Sequence, residues 1–314
     1  MRINGVEIED TFAEAFKMRA ARLIITAVNE RWALTAAQVT TGFATSVIAC
    51  GCEAGIEEVI PADETPDGRP GVSVLVFTMG SKGMEDQLMR RVGQCIMTCP
   101  STACFNGLEG DKKLKIGGTL RYFGDGFQIS KLLPPFPPKL GGLRGAEDRG
   151  GAGRRFWRIP VMEGEFLVEE SFGLKKAIGG GNFLILGESP EVTLEATERA
   201  VEVMKKVRGI VMPFPGGIVR SGSKTTSQYK FMRASTNTAY CPTIRRQTES
   251  ALPEGVNSVL EIVIDGLGEE SIRDAMRVGI QAACIPGIVR ISAGNYGGTL
   301  GQFHFHLRQI MGGA

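Results

Sequence analysis

The order of strand-like and helix-like segments constrains the fold of this 314-residue chain more than any other sequence feature. Two stretches each alternate short β-rich runs with amphipathic segments in the order β-α-β-β-α-β, the order of a split β-α-β sandwich. The first has strand signals at 22–28, 46–50, 72–78 and 119–123 and helix signals at 30–38 and 84–98. The second has strand signals at 182–186, 210–212, 258–264, 287–293 and 302–307 and helix signals at 191–208 and 269–284. We therefore predict an α+β fold (an α/β sandwich) of two ferredoxin-like lobes with antiparallel sheets flanked by helices.

A Pro/Gly/Arg-rich stretch separates these two patterns and sets the predicted domain limits. We predict an N-terminal lobe at residues 1–132, an inserted loop at 133–155 and a C-terminal lobe at 156–314. Such a composition cannot build a core. Between residues 139 and 158, six Lys or Arg stand against two acidic residues, a local charge of +4. This stretch is either a solvated loop or a docking strip for an acidic partner or an anionic substrate tail.

Charge and cysteine content exclude several classes of protein. The 36 basic and 34 acidic residues leave a net charge of +2, which disfavours nucleic-acid binding. No apolar stretch reaches the length of a membrane helix, and the acidic, alternating N-terminus is unlike a signal peptide. Seven cysteines, an odd number, fit reduced thiols in the cytoplasm. We predict a cytoplasmic protein with no membrane or nucleic-acid partner.

Metal and nucleotide motifs are weak in this sequence. The cysteines at 95, 99 and 104 follow helical spacing in an apolar segment, which is typical of small core residues rather than of an iron–sulfur site. The two histidines, His304 and His306, fall on one face of a single strand and would need a third ligand to hold zinc. The loop from Gly217 to Thr225 has one residue too many for a phosphate loop. We predict no metal site and no nucleotide hydrolysis.

Glu261 and four glycine-rich loops are the features that point to chemistry. Glu261 lies in the otherwise apolar run VLEIVI, so it is either a buried carboxyl with a raised pKa or a residue at a sheet edge that reaches solvent. The loops lie at 68–71, 179–181, 215–222 and 294–298. Glycine allows backbone N–H groups to approach a ligand closely, although it also serves ordinary turns.

Seven sequence blocks fall in the order of a known family. They are 3–11 (INGVEIEDT), 41–48 (TGFATSVI), 64–71 (ETPDGRPG), 92–95 (VGQC), 179–183 (GGGNF), 213–219 (PFPGGIV) and 291–298 (ISAGNYGG). Over nearly the whole chain the sequence resembles formylmethanofuran–tetrahydromethanopterin formyltransferase. Its near-neutral charge and the 133–153 insertion are closer to the bacterial form, which works in a formyltransferase/hydrolase complex.

The resemblance implies reversible formyl transfer between the amine of methanofuran and N5 of tetrahydromethanopterin, with both as substrates and no tightly bound cofactor. It implies that Glu261 is the catalytic acid/base, which we expect to be largely protonated in the free enzyme, with oxyanion donors from the glycine-rich loops. It also implies a homodimer or homotetramer and, in the bacterial form, further subunits of a complex. The alternative is a non-catalytic scaffold subunit of such a complex. The predicted substrate-binding residues are Gly180, Gly181, Asn182, Pro215, Gly216, Gly217, Ser221, Lys224 and Asn295.

Overall fold

The computed structural model describes residues 1–133, 154–220 and 222–313. The strands, numbered in chain order, are β1 Arg2–Ile3, β2 Val6–Ile8, β3 Phe12–Thr26, β4 Glu53–Ile60, β5 Gly71–Thr78, β6 Ala103–Asn106, β7 Lys112–Leu114, β8 Ile129–Leu133, β9 Arg154–Val161, β10 Gly164–Glu169, β11 Phe172–Gly187, β12 Ile210–Val211, β13 Ser223–Lys224, β14 Ser235–Thr236, β15 Ser258–Gly266, β16 Ile288–Ser292 and β17 Phe303–His306. The α-helices are α1 Glu30–Thr41, α2 Ser81–Arg91, α3 Ile116–Leu120, α4 Pro190–Met204, α5 Glu269–Ala283 and α6 Leu307–Ile310. A π-helical turn follows α2 at Val92–Ile96, and 3-10 turns lie at Ala62–Glu64, Arg121–Gly124, Pro215–Gly217, Thr238–Tyr240 and Pro242–Ile244. None of the helices in these ranges is long and apolar enough to span a membrane.

The chain forms two compact units that are interleaved in sequence. Unit 1 contains residues 1–17, 45–50 and 178–314, and unit 2 contains residues 18–44 and 51–177. The linear division into 1–132, 133–155 and 156–314 stays a prediction. Residues 134–153 of its middle segment lie outside the described residues.

Unit 2 has the predicted ferredoxin-like topology. Its strands lie in the order β4-β5-β3-β6, and each of these pairs is antiparallel. β10 extends this sheet as a parallel neighbour of β6. Apolar residues of β3 and β5 pack with α1 and α2 in one core, because alternate strand residues face the helices. This arrangement confirms the predicted fold class for this unit.

Two strand predictions in this region are wrong. Residues 46–50 form a turn, in which Ala49 has a positive φ of 67°. The strand expected there is instead β4, at a sheet edge, and its three glutamates interrupt the apolar pattern by which a strand is recognised. Residues 119–123 are helical, and the closing strand is the fully buried β6. Gly117 lets this helix pack directly on strand backbone, since a Cβ there would lie 2.1 Å from the Glu169 carbonyl oxygen.

Unit 1 repeats the same topology. Its strands lie in the order β12-β15-β11-β16, all antiparallel, and β2 adds a parallel neighbour to β16. α4 begins where the Ser189 side chain accepts the Val192 N–H and Pro190 takes the first helical position. α4 and α5 cover one face of the sheet, where Phe183 and Ile262 are fully buried. The prediction of two related ferredoxin-like lobes is therefore confirmed, and the sheet face opposite α4 and α5 is the one that carries the candidate site.

Candidate active site

Glu261 lies in a row of residues on the face of the unit 1 sheet opposite α4 and α5. It is paired directly with Leu184 of β11, and Leu184 is paired with Ser292 of β16. Directly opposed residues on antiparallel strands point to the same face. On its other side, Glu261 and Val219 exchange backbone hydrogen bonds of 2.8 and 2.9 Å. The row therefore fixes the glutamate between strand backbone on both sides.

A small cavity opens beside this carboxyl group. Its volume is about 40 Å³, and it is lined by Leu184, Val219, Arg220, Gly222, Thr236, Asn237, Tyr240, Cys241, Val259, Leu260 and Glu261. At Gly222 the backbone comes so close that a Cβ would lie 3.3 Å from Oε2 of Glu261. Cavities that hold whole organic ligands measure roughly 300–1,000 Å³. Only the reacting end of a larger substrate fits beside Glu261, and the rest of it must lie outside this cavity.

Burial makes Glu261 able to give and accept a proton near neutral pH. The residue is partly buried, and within the described residues no hydrogen bond or ion pair reaches its carboxyl group. Burial alone raises the pKa of Glu261 to about 7, because the charged form loses its hydration. Both the protonated and the ionised form are therefore accessible near neutral pH, and the prediction that Glu261 is largely protonated in the free enzyme stays a prediction. A carboxyl group in this state can act as a general acid and as a general base.

Three predicted binding residues of β11 lie in different environments: Gly180, Gly181 and Asn182. Gly180 has a φ of +92°, and its N–H donates to Oδ1 of Asp265 (3.0 Å). Gly181 packs closely on α5, since a Cβ there would lie 2.7 Å from Ile272. The Asn182 side chain donates to the carbonyl oxygens of Gly180 and Gly294, both at 3.1 Å.

The loop from 294 to 301 is tied to this strand through Asn182. Gly294 N–H donates back to Oδ1 of Asn182 at 2.6 Å, so the two residues bond reciprocally. Asn295 uses its side chain within the unit: Nδ2 donates to Thr11 Oγ1 and Phe12 O, and Oδ1 accepts the Gly297 N–H. The structure therefore brings Asn182 and Asn295 together at one loop.

The remaining predicted residues lie along the segment that leads past Glu261. Pro215, Gly216 and Gly217 form a 3-10 turn in which both glycines have positive φ, 65° and 81°. This turn precedes Val219, the backbone partner of Glu261. Lys224 donates from Nζ to Thr238 Oγ1 at 2.9 Å, and Ser221 lies outside the described residues.

Three residues near the site were not predicted from the sequence. Tyr240 lines the cavity, and its hydroxyl lies 3.4 Å from Ser292 Oγ. Glu14 is 1% exposed and accepts backbone hydrogen bonds from the 296–301 segment, which includes Tyr296. Glu14 carries the same signal as Glu261, an acid flanked by apolar strand residues, whereas nothing in the local sequence marks Tyr240.

The candidate metal ligands of the sequence serve other contacts. The rings of His304 and His306 pack at a tilt against Phe12, with centroids 4.9 and 5.2 Å from its ring centre. Within the described ranges, no group of three or more His, Cys, Asp or Glu side chains is arranged to hold a metal ion.

Comparisons with known proteins agree on one family. The model of the family "Formylmethanofuran-tetrahydromethanopterin formyltransferase" matches residues 1–134, and that of "FTR, proximal lobe" matches residues 164–310. The formylmethanofuran–tetrahydromethanopterin formyltransferase of Methylococcus capsulatus is 56% identical, over 99% of this chain and 100% of that protein. Among solved structures, the formyltransferase/hydrolase complex of Methylorubrum extorquens with methylofuran has a TM-score of 0.92 and 51% identity, over 100% of this chain and 99% of that chain. The Methanosarcina barkeri formyltransferase has a TM-score of 0.88 and 48% identity, over 99% of this chain and 100% of that chain.

Proposed function

This chain belongs to the formylmethanofuran–tetrahydromethanopterin formyltransferase family, and we propose that it moves a formyl group reversibly between a methanofuran-type amine and N5 of tetrahydromethanopterin. The observation that carries this proposal is the buried Glu261 carboxyl beside a small cavity on the sheet face opposite α4 and α5. Its pKa of about 7 suits a group that must both take and give a proton.

The reaction is an exchange of one amide for another, and its proton transfers match one carboxyl group. The N5 amine attacks the formyl carbon, a C–N bond forms, and the carbonyl oxygen becomes an oxyanion. The Glu261 carboxylate takes the proton that N5 loses, and protonated Glu261 gives it to the furan-side nitrogen as the old C–N bond breaks. The carbonyl re-forms and Glu261 returns to its starting state, so the reverse reaction uses the same steps.

The oxyanion needs a hydrogen-bond donor beside Glu261. The prediction that the glycine-rich loops supply it stays open: the Gly180, Gly217 and Gly294 amides donate to acceptors within the protein, whereas Gly222 of the 215–222 loop lines the cavity. Tyr240 lines the cavity and carries a hydroxyl group that can donate a hydrogen bond. We assign it as an oxyanion donor.

The substrates and partners follow from the family. We propose that the pterin and the furan-type amine are substrates and that the transfer needs no tightly bound cofactor, since protonation and oxyanion stabilisation suffice. The neighbouring structure from Methylorubrum extorquens is a formyltransferase/hydrolase complex. We propose that this chain likewise works in the cytoplasm as a homodimer or homotetramer and joins further subunits in such a complex.

The experiment is a formyl-transfer assay on the purified chain, with formylmethanofuran and tetrahydromethanopterin and their products followed by absorbance. We expect turnover by the natural sequence and a loss of about 100-fold or more in kcat for Glu261→Gln, which keeps the shape and removes the proton. Glu254→Gln, an exposed acid near the start of β15, is the matched control and should keep full turnover. Full turnover by Glu261→Gln would refute the assigned role, and an inactive natural chain would favour the scaffold alternative.

A further inference from the structure

Glu14 is a buried carboxylate that the proposed chemistry does not use. It lies on β3 between Ala13 and Ala15, which are fully buried in the unit 1 core, and it is itself only 1% exposed. A charged group in such a place needs several hydrogen bonds to stay ionised. The groups that donate these hydrogen bonds identify the part of the chain that the Glu14 carboxylate holds in place.

All four described hydrogen bonds to this carboxylate come from one short loop. Oε2 accepts the backbone N–H groups of Tyr296 (2.7 Å) and Gly298 (2.9 Å), and Oε1 accepts those of Leu300 (2.6 Å) and Gly301 (2.5 Å). Burial opposes ionisation, but these N–H groups outweigh it and lower the pKa of Glu14 below its ordinary value. Glu14 therefore stays ionised at neutral pH and organises the backbone of residues 296–301.

The start of the same loop is attached to the face that carries Glu261. Asn182 and Gly294 bond reciprocally, and Asn182 lies two residues before Leu184 on β11. Because strand residues two apart share a face, Asn182 lies on the face of Leu184 and its partner Glu261. The loop is thus anchored at 294 beside the site and at 296–301 on Glu14.

Tyr296 is the loop residue that links the two acids. Its ring packs near Phe16, with centroids 6.2 Å apart, and its backbone N–H is one of the Glu14 bonds. Burial, and then the negative charges of Glu261 and Glu14, raise the pKa of the Tyr296 phenol, which is therefore protonated at neutral pH. The phenol is therefore a hydrogen-bond donor on a loop that Asn182 attaches to the sheet face of Glu261.

We propose that Glu14 is a positioning residue, whose carboxylate fixes the 294–301 loop, and Tyr296 with it, beside the sheet face that carries Glu261. This role rests on the proposed formyl transfer. Glu14 itself touches neither substrate nor Glu261, and it acts through the main chain of the loop.

A double-mutant cycle tests the link between the two residues. Glu14→Gln replaces an acceptor oxygen by an amide group and leaves at least two loop N–H groups unpaired, so we expect kcat to fall about 10-fold or more with the loop displaced. Tyr296→Phe removes the hydroxyl and should lower kcat by a similar factor. When both changes are combined, the Glu14→Gln change should cost less than about 2-fold further, because the phenol that it positions is already gone.

A matched control separates positioning from general stability. Glu169 is also buried, at 6% exposure, and accepts a backbone N–H from Asn106, but it belongs to unit 2. Glu169→Gln should weaken folding and leave kcat per folded molecule within about 2-fold. Equal losses of kcat in Glu14→Gln and Glu169→Gln, or fully additive losses in the double-mutant cycle, would overturn the proposal. If Glu14→Gln does not fold, Glu14→Asp takes its place in the cycle with the same criteria.

Amide hydrogen exchange measures the hold on the loop without any assay of transfer. In the natural chain the amides of residues 296, 298, 300 and 301 should be protected, and in Glu14→Gln they should exchange about 10-fold or more faster. Unchanged exchange would overturn the proposal. An inactive natural chain would instead refute formyl transfer, and the exchange rates would still decide whether Glu14 fixes the loop.

Discussion

Replacing Glu261 by Gln should make the protein more stable, and increasingly so as the pH rises. The carboxyl and the carboxamide have nearly the same shape, so the variant keeps the packing beside Leu184 and removes only the ionisable group. Burial raises the pKa of Glu261 from its ordinary 4.5 to about 7, which means that the folded state resists its ionisation.

The size of the effect follows from this change in pKa. Below pH 4.5 the carboxyl is protonated in the folded and unfolded states, and it does not affect the balance between them. Between pH 4.5 and 7 the unfolded chain releases the proton and the folded chain retains it, so the natural protein loses stability as the pH rises. A pKa difference of this size corresponds to at most about 3 kcal/mol, because Glu261 is only partly buried.

Thermal or urea unfolding at several pH values between 5 and 8 measures this difference. The free energy of unfolding of Glu261→Gln should exceed that of the natural chain by a small amount at pH 5 and by up to about 3 kcal/mol at pH 8. At pH 8 its melting temperature should be about 5 °C or more higher. Glu254→Gln is the control and should show a small difference that does not vary with pH. A Glu261→Gln difference that stays constant across this range would mean that the carboxyl has an ordinary pKa, and the argument from burial would fail.

Further predictions concern Tyr240 and two glycines. Tyr240→Phe removes a hydroxyl at the cavity and should lower kcat about 10-fold or more, while the unfolding midpoint stays close to that of the natural chain. An unchanged kcat would show that Tyr240 is not an oxyanion donor. Gly173→Ala should destabilise the protein by about 2 kcal/mol or more in urea unfolding, because the new Cβ would lie 1.8 Å from the Leu108 carbonyl oxygen. Gly83→Ala, in the first turn of α2 with only Thr78 nearby at 3.8 Å, should instead stabilise it by up to about 1 kcal/mol, and a loss at this position would contradict the helix assignment.

The sequence predicts the architecture well where hydrophobic periodicity and sheet burial coincide. β5 and β15 are apolar runs in the interior of their sheets, and both were predicted. β4 was missed because it carries three glutamates, of which Glu57 is buried in an ion pair with Arg22, so its pattern is not apolar. The helix at 116–120 was missed because glycine has a low helix propensity. Here its glycines are needed for close packing on neighbouring backbone.

Of the candidate site, only Glu261 could be predicted from the residues next to it in the sequence. Glu261 stands out because an acid in an apolar strand must be desolvated. Glu14 has the same pattern, but its alanine neighbours are a weaker sign of burial, and its partners lie more than 280 residues away in the chain. Tyr240 reaches the cavity because the segment containing it folds back over the sheet, which no local pattern encodes.

The loop that Glu14 holds has a path that is independent of most of its side chains. The four described bonds come from main-chain amides, so a substitution at Thr299 or at the half-exposed Leu300 leaves every one of them in place. The glycines are the exceptions: Gly297 and Gly298 have positive φ of 70° and 75°, and a Cβ at Gly301 would lie 2.6 Å from the Ala15 carbonyl oxygen. Selection can therefore alter the surface that this loop presents, and with it the preference for a substrate, without rebuilding the fold beneath it.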